Sequence, residues 1–131
     1  MPRETGSPQD WLLHARSDLG VVRGPVGPEV LTQTRCFHAQ QVVEKCLKAV
    51  LLAHGTEFPL THNLRTLLLL LPGDLPAPPE VEAAAALSVY AVAARYPGEF
   101  EPLSEEEFGE VQRLAEAVLV WAEDMVAQGR A

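Results

Sequence analysis

The stretch EVLTQTRCFHAQQVVEKCLKAVLLAHG, residues 29–55, decides the fold. Placed at 100° per residue, Cys36, Ala39, Val43, Cys46, Leu47 and Val50 share one arc, and the opposite arc carries His38, Gln40, Gln41, Glu44, Lys45 and Lys48. This pattern predicts an amphipathic helix from about Glu29 to His54, with Gly55 just past its end. Glu44 precedes Lys48 in the favourable i, i+4 order, which reads as part of a solvated face. Gln40 and Glu44 have a second reading, as hydrogen-bonding groups between helices.

Outward from this helix, proline and glycine punctuate four further helical segments, and no stretch alternates with period two. Upstream, Ser7 and Pro8 suit a cap and a first helical position, and Trp11, Leu12, Ala15, Leu19 and Val22 recur at helical spacing. A helix over 8–23 follows, closed by the Gly24 to Pro28 run. Downstream, Thr61 is expected to cap a short helix over 63–71, with His62 in its first turn. Leu67 to Leu71 exceed what one apolar stripe requires, which suggests contact on two sides, with a second helical layer or a second subunit.

A proline-rich connector, 72–79, leads to an alanine-rich helix expected over 80–95, which Pro97 prevents from continuing. The last helix opens with Ser104-Glu105-Glu106-Glu107, a capping box that explains three adjacent carboxylates without assigning them chemistry. Phe108, Val111, Ala115, Val118, Ala122 and Met125 form its apolar stripe, and Gly129 is placed past its end. His54 reads as a dipole partner at a helix C-terminus or as exposed. The fold class is all-α, an antiparallel up-and-down bundle of four to five helices in one domain over 1–131, with its core at about 8–128.

Composition narrows the function. Eighteen acidic against ten basic residues give a net charge of −8, which disfavours a nonspecific nucleic-acid coat protein and leaves room only for a local basic site. The longest apolar tract, Ala83 to Ala94, falls short of the roughly 18 to 20 residues of a membrane span. Met1-Pro2-Arg3-Glu4 does not start a secretory signal, so a cytoplasmic location is expected. Cys36 and Cys46 would be about 15 Å apart along one helix, beyond disulfide reach, and read as buried apolar groups. No Cys-x-x-Cys, His-Glu-x-x-His or calcium-loop pattern occurs, so neither a metal nor a cofactor is expected.

Taken in order, the segments resemble the HEPN family of small helical-bundle proteins from about Trp11 to Val126. The resemblance is carried by Phe37-His38-Ala39-Gln40-Gln41-Val42-Val43-Glu44-Lys45-Cys46-Leu47-Lys48-Ala49, by Pro59-Leu60-Thr61-His62-Asn63-Leu64 and by Ala94-Arg95-Tyr96-Pro97. It implies a helical homodimer and, for many members, pairing with a minimal nucleotidyltransferase in a toxin-antitoxin module. Several branches are metal-independent ribonucleases with an Arg followed, after four to six residues, by a His. Here no arginine has a histidine at that spacing, and Arg95 is followed by Tyr96-Pro97-Gly98-Glu99-Phe100-Glu101-Pro102.

The resemblance therefore implies a nucleotide- or RNA-phosphate-binding or interaction module with Arg95, Tyr96, His38, Gln41, Lys45 and Lys48 as its contact residues. Arg95 would supply a bidentate fork and Tyr96 an aromatic surface. Read without the family, Arg95 and Tyr96 simply end a helix, and the α-helical polar arc is a solvated face. The alternative is an endoribonuclease in which Arg95 works with a displaced His38 or His62.

Overall fold

A computed structural model describes residues 6–90 and 103–129. Its helices are α1 (Pro8–Arg23), α2 (Thr32–Ala53), α3 (Leu64–Leu69), α4 (Pro79–Ala83), which tightens into a 3-10 turn over Ala84–Ser88, and α5 (Glu105–Gly129). The described residues form no strand, and the all-α expectation holds.

The first and last helices begin where their caps place them. Ser7 Oγ accepts from Asp10 N while the Asp10 carboxylate accepts from Ser7 N, both at 3.0 Å, and Pro8 occupies the first turn. Ser104 and Glu107 repeat this reciprocal pair at 3.0 and 2.8 Å. Each box satisfies amides that a helix start otherwise leaves without partners. α5 runs through Gly129, one residue further than the glycine suggests.

α2 starts three residues later than expected. Val30 N donates to Gly27 O at 3.1 Å, a turn that holds Glu29 and Val30 outside the helix, and the N-cap Leu31 has no side chain able to cap. Its end is as expected: Gly55 adopts φ +76°, Gly55 N donates to Leu52 O and Thr56 N donates to Leu51 O. These paired bonds are a Schellman closure, which requires the left-handed conformation that glycine adopts without strain.

Two local expectations are corrected. Asn63, not Thr61, caps α3, its Oδ1 accepting from Thr66 N at 3.1 Å. Thr61 Oγ1 instead accepts from Asn63 N, so His62 lies in the loop before the helix and not in its first turn. The alanine-rich segment is not one continuous α-helix within the described residues. Val81, Ala84 and Leu87 are all buried, and a 3-10 turn stacks positions three apart on one row. Residues 91–102, including the expected end of that helix, lie outside the described residues.

Helix directions follow from side-chain pairs. Arg35 Nη2 donates to Val22 O at 2.6 Å and Lys48 lies over the Trp11 ring, so α1 and α2 are antiparallel. Arg16 meets Glu123 and Arg23 meets Glu116, so α1 and α5 are also antiparallel. Trp121 Nε1 donates to Pro76 O at 2.8 Å and Arg113 reaches Glu80 at 3.3 Å, which sets the 76–88 segment antiparallel to α5. These directions are those of an up-and-down bundle.

One apolar cluster lies between these helices. Leu12, Ala15, Leu19 and Val22 of α1, the whole expected stripe of α2 and the whole expected stripe of α5 are buried in it. Each fully buried leucine or valine contributes roughly 1.5–3 kcal/mol of transfer free energy. Both cysteines are buried and free, and burial pushes the Cys36 thiol up to about 11 and the Cys46 thiol higher still. Of the leucine run, Leu67 is buried, Leu68, Leu70 and Leu71 pack partly against the core, and Leu69 is exposed.

Candidate functional site

The polar arc of α2 is the chemically richest surface of the described chain, and much of it is not solvated. Gln40, Glu44 and Lys48 are 0%, 2% and 0% exposed. The expectation of an exposed Glu44 and Lys48 pair is therefore corrected. Lys48 Nζ donates to Glu44 Oε2 at 2.9 Å, and its ammonium lies 5.2 Å from the Trp11 ring centre and 5.8 Å from that of Phe58. Two aromatic faces thus cover a buried cation whose charge is answered by an adjacent carboxylate.

Glu44 is the hub of this network. Its Oε1 accepts from Gln40 Nε2 at 3.1 Å and from Gln41 Nε2 at 3.4 Å, and His62 Nδ1 donates to Oε1 and Oε2 at 3.1 and 3.0 Å. Gln40 Nε2 also donates to the His62 carbonyl at 3.3 Å. Gln40 and Glu44 therefore tie α2 to the loop before α3, a hydrogen-bonding role as expected but to a loop and not to another helix. The His62 side chain remains 60% exposed, and among the described residues its Nε2 has no partner.

A second carboxylate stands on the other side of the same face. Asp18 of α1, half-way between the buried Ala15 and Val22, accepts from His38 Nδ1 at 2.9 Å and from Lys45 Nζ at 2.5 Å. His38 and Lys45 both stay partly open, and the His38 ring meets Phe37 edge to face. Gln41 lies between the two networks and donates to Gln40 Oε1 at 2.9 Å. His38, Gln41 and Lys45 are thus brought together on one partly exposed strip, whereas Lys48 is sealed beneath it and cannot touch a ligand at the surface.

Asp18, Trp11 and Phe58 are the participants that reading the sequence missed as site residues. Asp18 left a signal, since a carboxylate three and four residues from buried positions lies on the rim of an apolar stripe. Arg95 and Tyr96 lie outside the described residues. His54, placed at a helix end, is only partly buried, and its Nε2 donates to Met125 O at 3.0 Å, joining the ends of α2 and α5. A depression of about 210 Å³ beside Lys45 is lined by Gly6, Asp10, Trp11 and His14. It is smaller than the roughly 300–1,000 Å³ of a typical small-molecule pocket.

Among the described residues no group of three His, Cys, Asp or Glu side chains could hold a metal ion, and no helix is long and apolar enough to cross a membrane.

The sequence profile of the HEPN domain matches residues 8–125. The fold is similar to the crystal structure of TT1696 from Thermus thermophilus, with a TM-score of 0.73 and 31% identity over 90% of this chain and 97% of that one. It is also similar to ST0689, described as an archaeal HEPN homologue, with a TM-score of 0.69 and 24% identity over 93% and 99% of the two chains, a likeness of fold alone. No curated protein matches the chain. The profile match across nearly the whole bundle, joined to the helical architecture, identifies this chain as a member of the HEPN domain family.

Proposed function

We propose that this HEPN protein is a nucleotide- or RNA-phosphate-binding interaction module, a homodimer that serves as the partner subunit of a minimal nucleotidyltransferase in a toxin-antitoxin type pair. The observation that carries the reading is the α2 strip, where His38, Gln41 and Lys45 reach the surface above two carboxylates, Asp18 and Glu44, that fix them from below. Side chains held in this way lose less rotational freedom when a ligand arrives, which favours binding. Arg95 adds a fork for phosphate and Tyr96 an aromatic surface. The missing Arg-to-His spacing speaks for binding over turnover, and the exposed Leu69 supports a subunit contact.

Calorimetry of the full chain with ATP, with single-stranded RNA and with the product of any adjacent nucleotidyltransferase gene tests the reading. Saturable heat with at least one of them at physiological salt is expected, and silence with all three would refute it.

One observation favours a second reading, a metal-independent endoribonuclease using Arg95 with His38 or His62. Each histidine is held at Nδ1 by a carboxylate, the arrangement that orients an imidazole for proton transfer at Nε2. RNA cleaved in EDTA by the wild type and left intact by Arg95→Ala would support it, and RNA left uncut by the wild type would remove it.

A further inference from the structure

The two carboxylates of the α2 face are each shared by one lysine and one histidine. Asp18 holds Lys45 and His38, and Glu44 holds Lys48 and His62. In each set the lysine and the carboxylate oppose each other's charge. The charge that this face offers a ligand is thus set by the imidazoles, with one positive charge gained for each ring that takes up a proton, and histidine is the side chain that ordinarily does so between pH 5 and 8. No other charged side chain among the described residues bonds to either ring. On the neighbouring α3, Arg65 is engaged by Glu82 at 2.7 Å.

Of the two rings, His62 is the more firmly placed and the more open. Its ring is held at Nδ1 by both oxygens of Glu44, its carbonyl is held by Gln40, and 60% of its side chain is exposed. His38 has one oxygen of Asp18 and is 30% exposed. The cost of sealing Glu44 and Lys48 in the bundle is not explained by stability, because a buried ion pair is often no better than apolar residues of the same volume. The imidazole through which that network reaches solvent is His62, beside the partly exposed amide of Gln41. With Nδ1 donating to Glu44, a neutral ring presents a lone pair at Nε2, and a proton added there creates a donor aimed away from the protein.

We infer that His62, positioned by Glu44, is the group through which this face takes hold of a phosphate, and that binding draws a proton from solution onto Nε2. His38 on Asp18 makes a weaker contact of the same kind. The inference rests on the proposed phosphate-binding function and names the residue and the proton that serve it. Nucleotide and RNA share the phosphate oxygens that Nε2–H would meet, and the two ligands form separate arms of the test.

Isothermal titration of the full chain with ATP and with a short single-stranded RNA, near pH 6.5 in two buffers of different ionisation enthalpy, reads affinity and proton uptake together. The wild type should take up a measurable fraction of a proton with its preferred ligand. His62→Gln, an exposed change that keeps a donor for Glu44, should weaken binding about tenfold, the scale of one charge-assisted hydrogen bond, and lose most of the uptake. His38→Gln should weaken it less. The double variant Glu44→Leu/Lys48→Met, which removes both members of the buried pair and with them the acceptor for Nδ1, keeps the imidazole without its anchor and should lose affinity and uptake in step with His62→Gln. Unchanged affinity and uptake in His62→Gln, with the wild type binding, would overturn this inference and leave the proposed function standing. A wild type that binds neither ligand would overturn both.

Discussion

Lys48 Nζ lies 2.9 Å from Glu44 Oε2, and neither side chain is open to solvent. Removing one partner alone strands a buried charge. Lys48→Met should therefore destabilise the protein by about 3–5 kcal/mol, whereas adding Glu44→Leu should recover only part of that loss, because Gln40, Gln41 and His62 then lose an acceptor. Urea unfolding of the two single variants and the double variant measures the coupling. Single losses that simply add in the double variant would mean that the pair is not coupled.

The tight meeting of α2 and α5 at their C-terminal ends makes Gly129 sensitive. A Cβ there would stand 2.7 Å from the Ala53 carbonyl oxygen and 3.0 Å from His54 Nε2. Backbone on the facing side cannot rotate away, so Gly129→Ala should cost about 1–3 kcal/mol despite the better helix propensity of alanine. Thermal unfolding would detect it, and an unchanged or raised Tm would show that the helix end yields freely.

Ser104→Ala removes the hydroxyl that accepts from Glu107 N, which is one half of the capping box. A loss of about 1 kcal/mol is expected in chemical unfolding, with little change in helix content. The same substitution at Ser7 should behave alike, because the geometry is the same.

The Arg23 guanidinium, donating at 2.6 Å, holds the Glu116 carboxyl below its ordinary range, against partial desolvation and with help from Gln112. A carboxyl whose folded value is depressed stabilises the fold above its unfolded value and loses that contribution as pH falls through the folded one. Arg23→Gln should thus be less stable than the wild type near neutral pH, and the difference should close in acid. Because the pair is half exposed, the effect is small, and a difference that persists or grows toward about pH 2 would contradict it.

Much of the bundle could be read directly from residue patterns, and the exceptions have physical causes. Ser7 with Pro8, Ser104 with Glu107 and Gly55 are local signals, and the ends they mark agree with the structure to within a residue. Lys48 misleads because Glu and Lys at i, i+4 usually mark an exposed face, while the aromatic rings that cover this lysine come from α1 and from the loop after α2. Val42, Ala49 and Leu51, buried outside the expected stripe, are the hint that the second half of α2 is covered on more than one side. At the start of α3, Thr61 and Asn63 both suit a cap, and the choice between positions two residues apart decides whether His62 lies in a helix or reaches across to Glu44. The 3-10 turn at Ala84–Ser88 reflects docking of Val81, Ala84 and Leu87 into the core, a tertiary demand that overrides alanine's propensity.

The central claim is that histidines anchored on Asp18 and Glu44 face the ligand, and long-range ¹H–¹⁵N spectra of the imidazoles, recorded while ATP or single-stranded RNA is added, test it most directly. The account predicts that in the free protein His62 and His38 carry their bound proton at Nδ1, and that ligand moves their Nε2 signals while His54, bonded to the Met125 carbonyl, stays still. Nε2 signals of His62 and His38 that remain fixed at saturating ligand would contradict it.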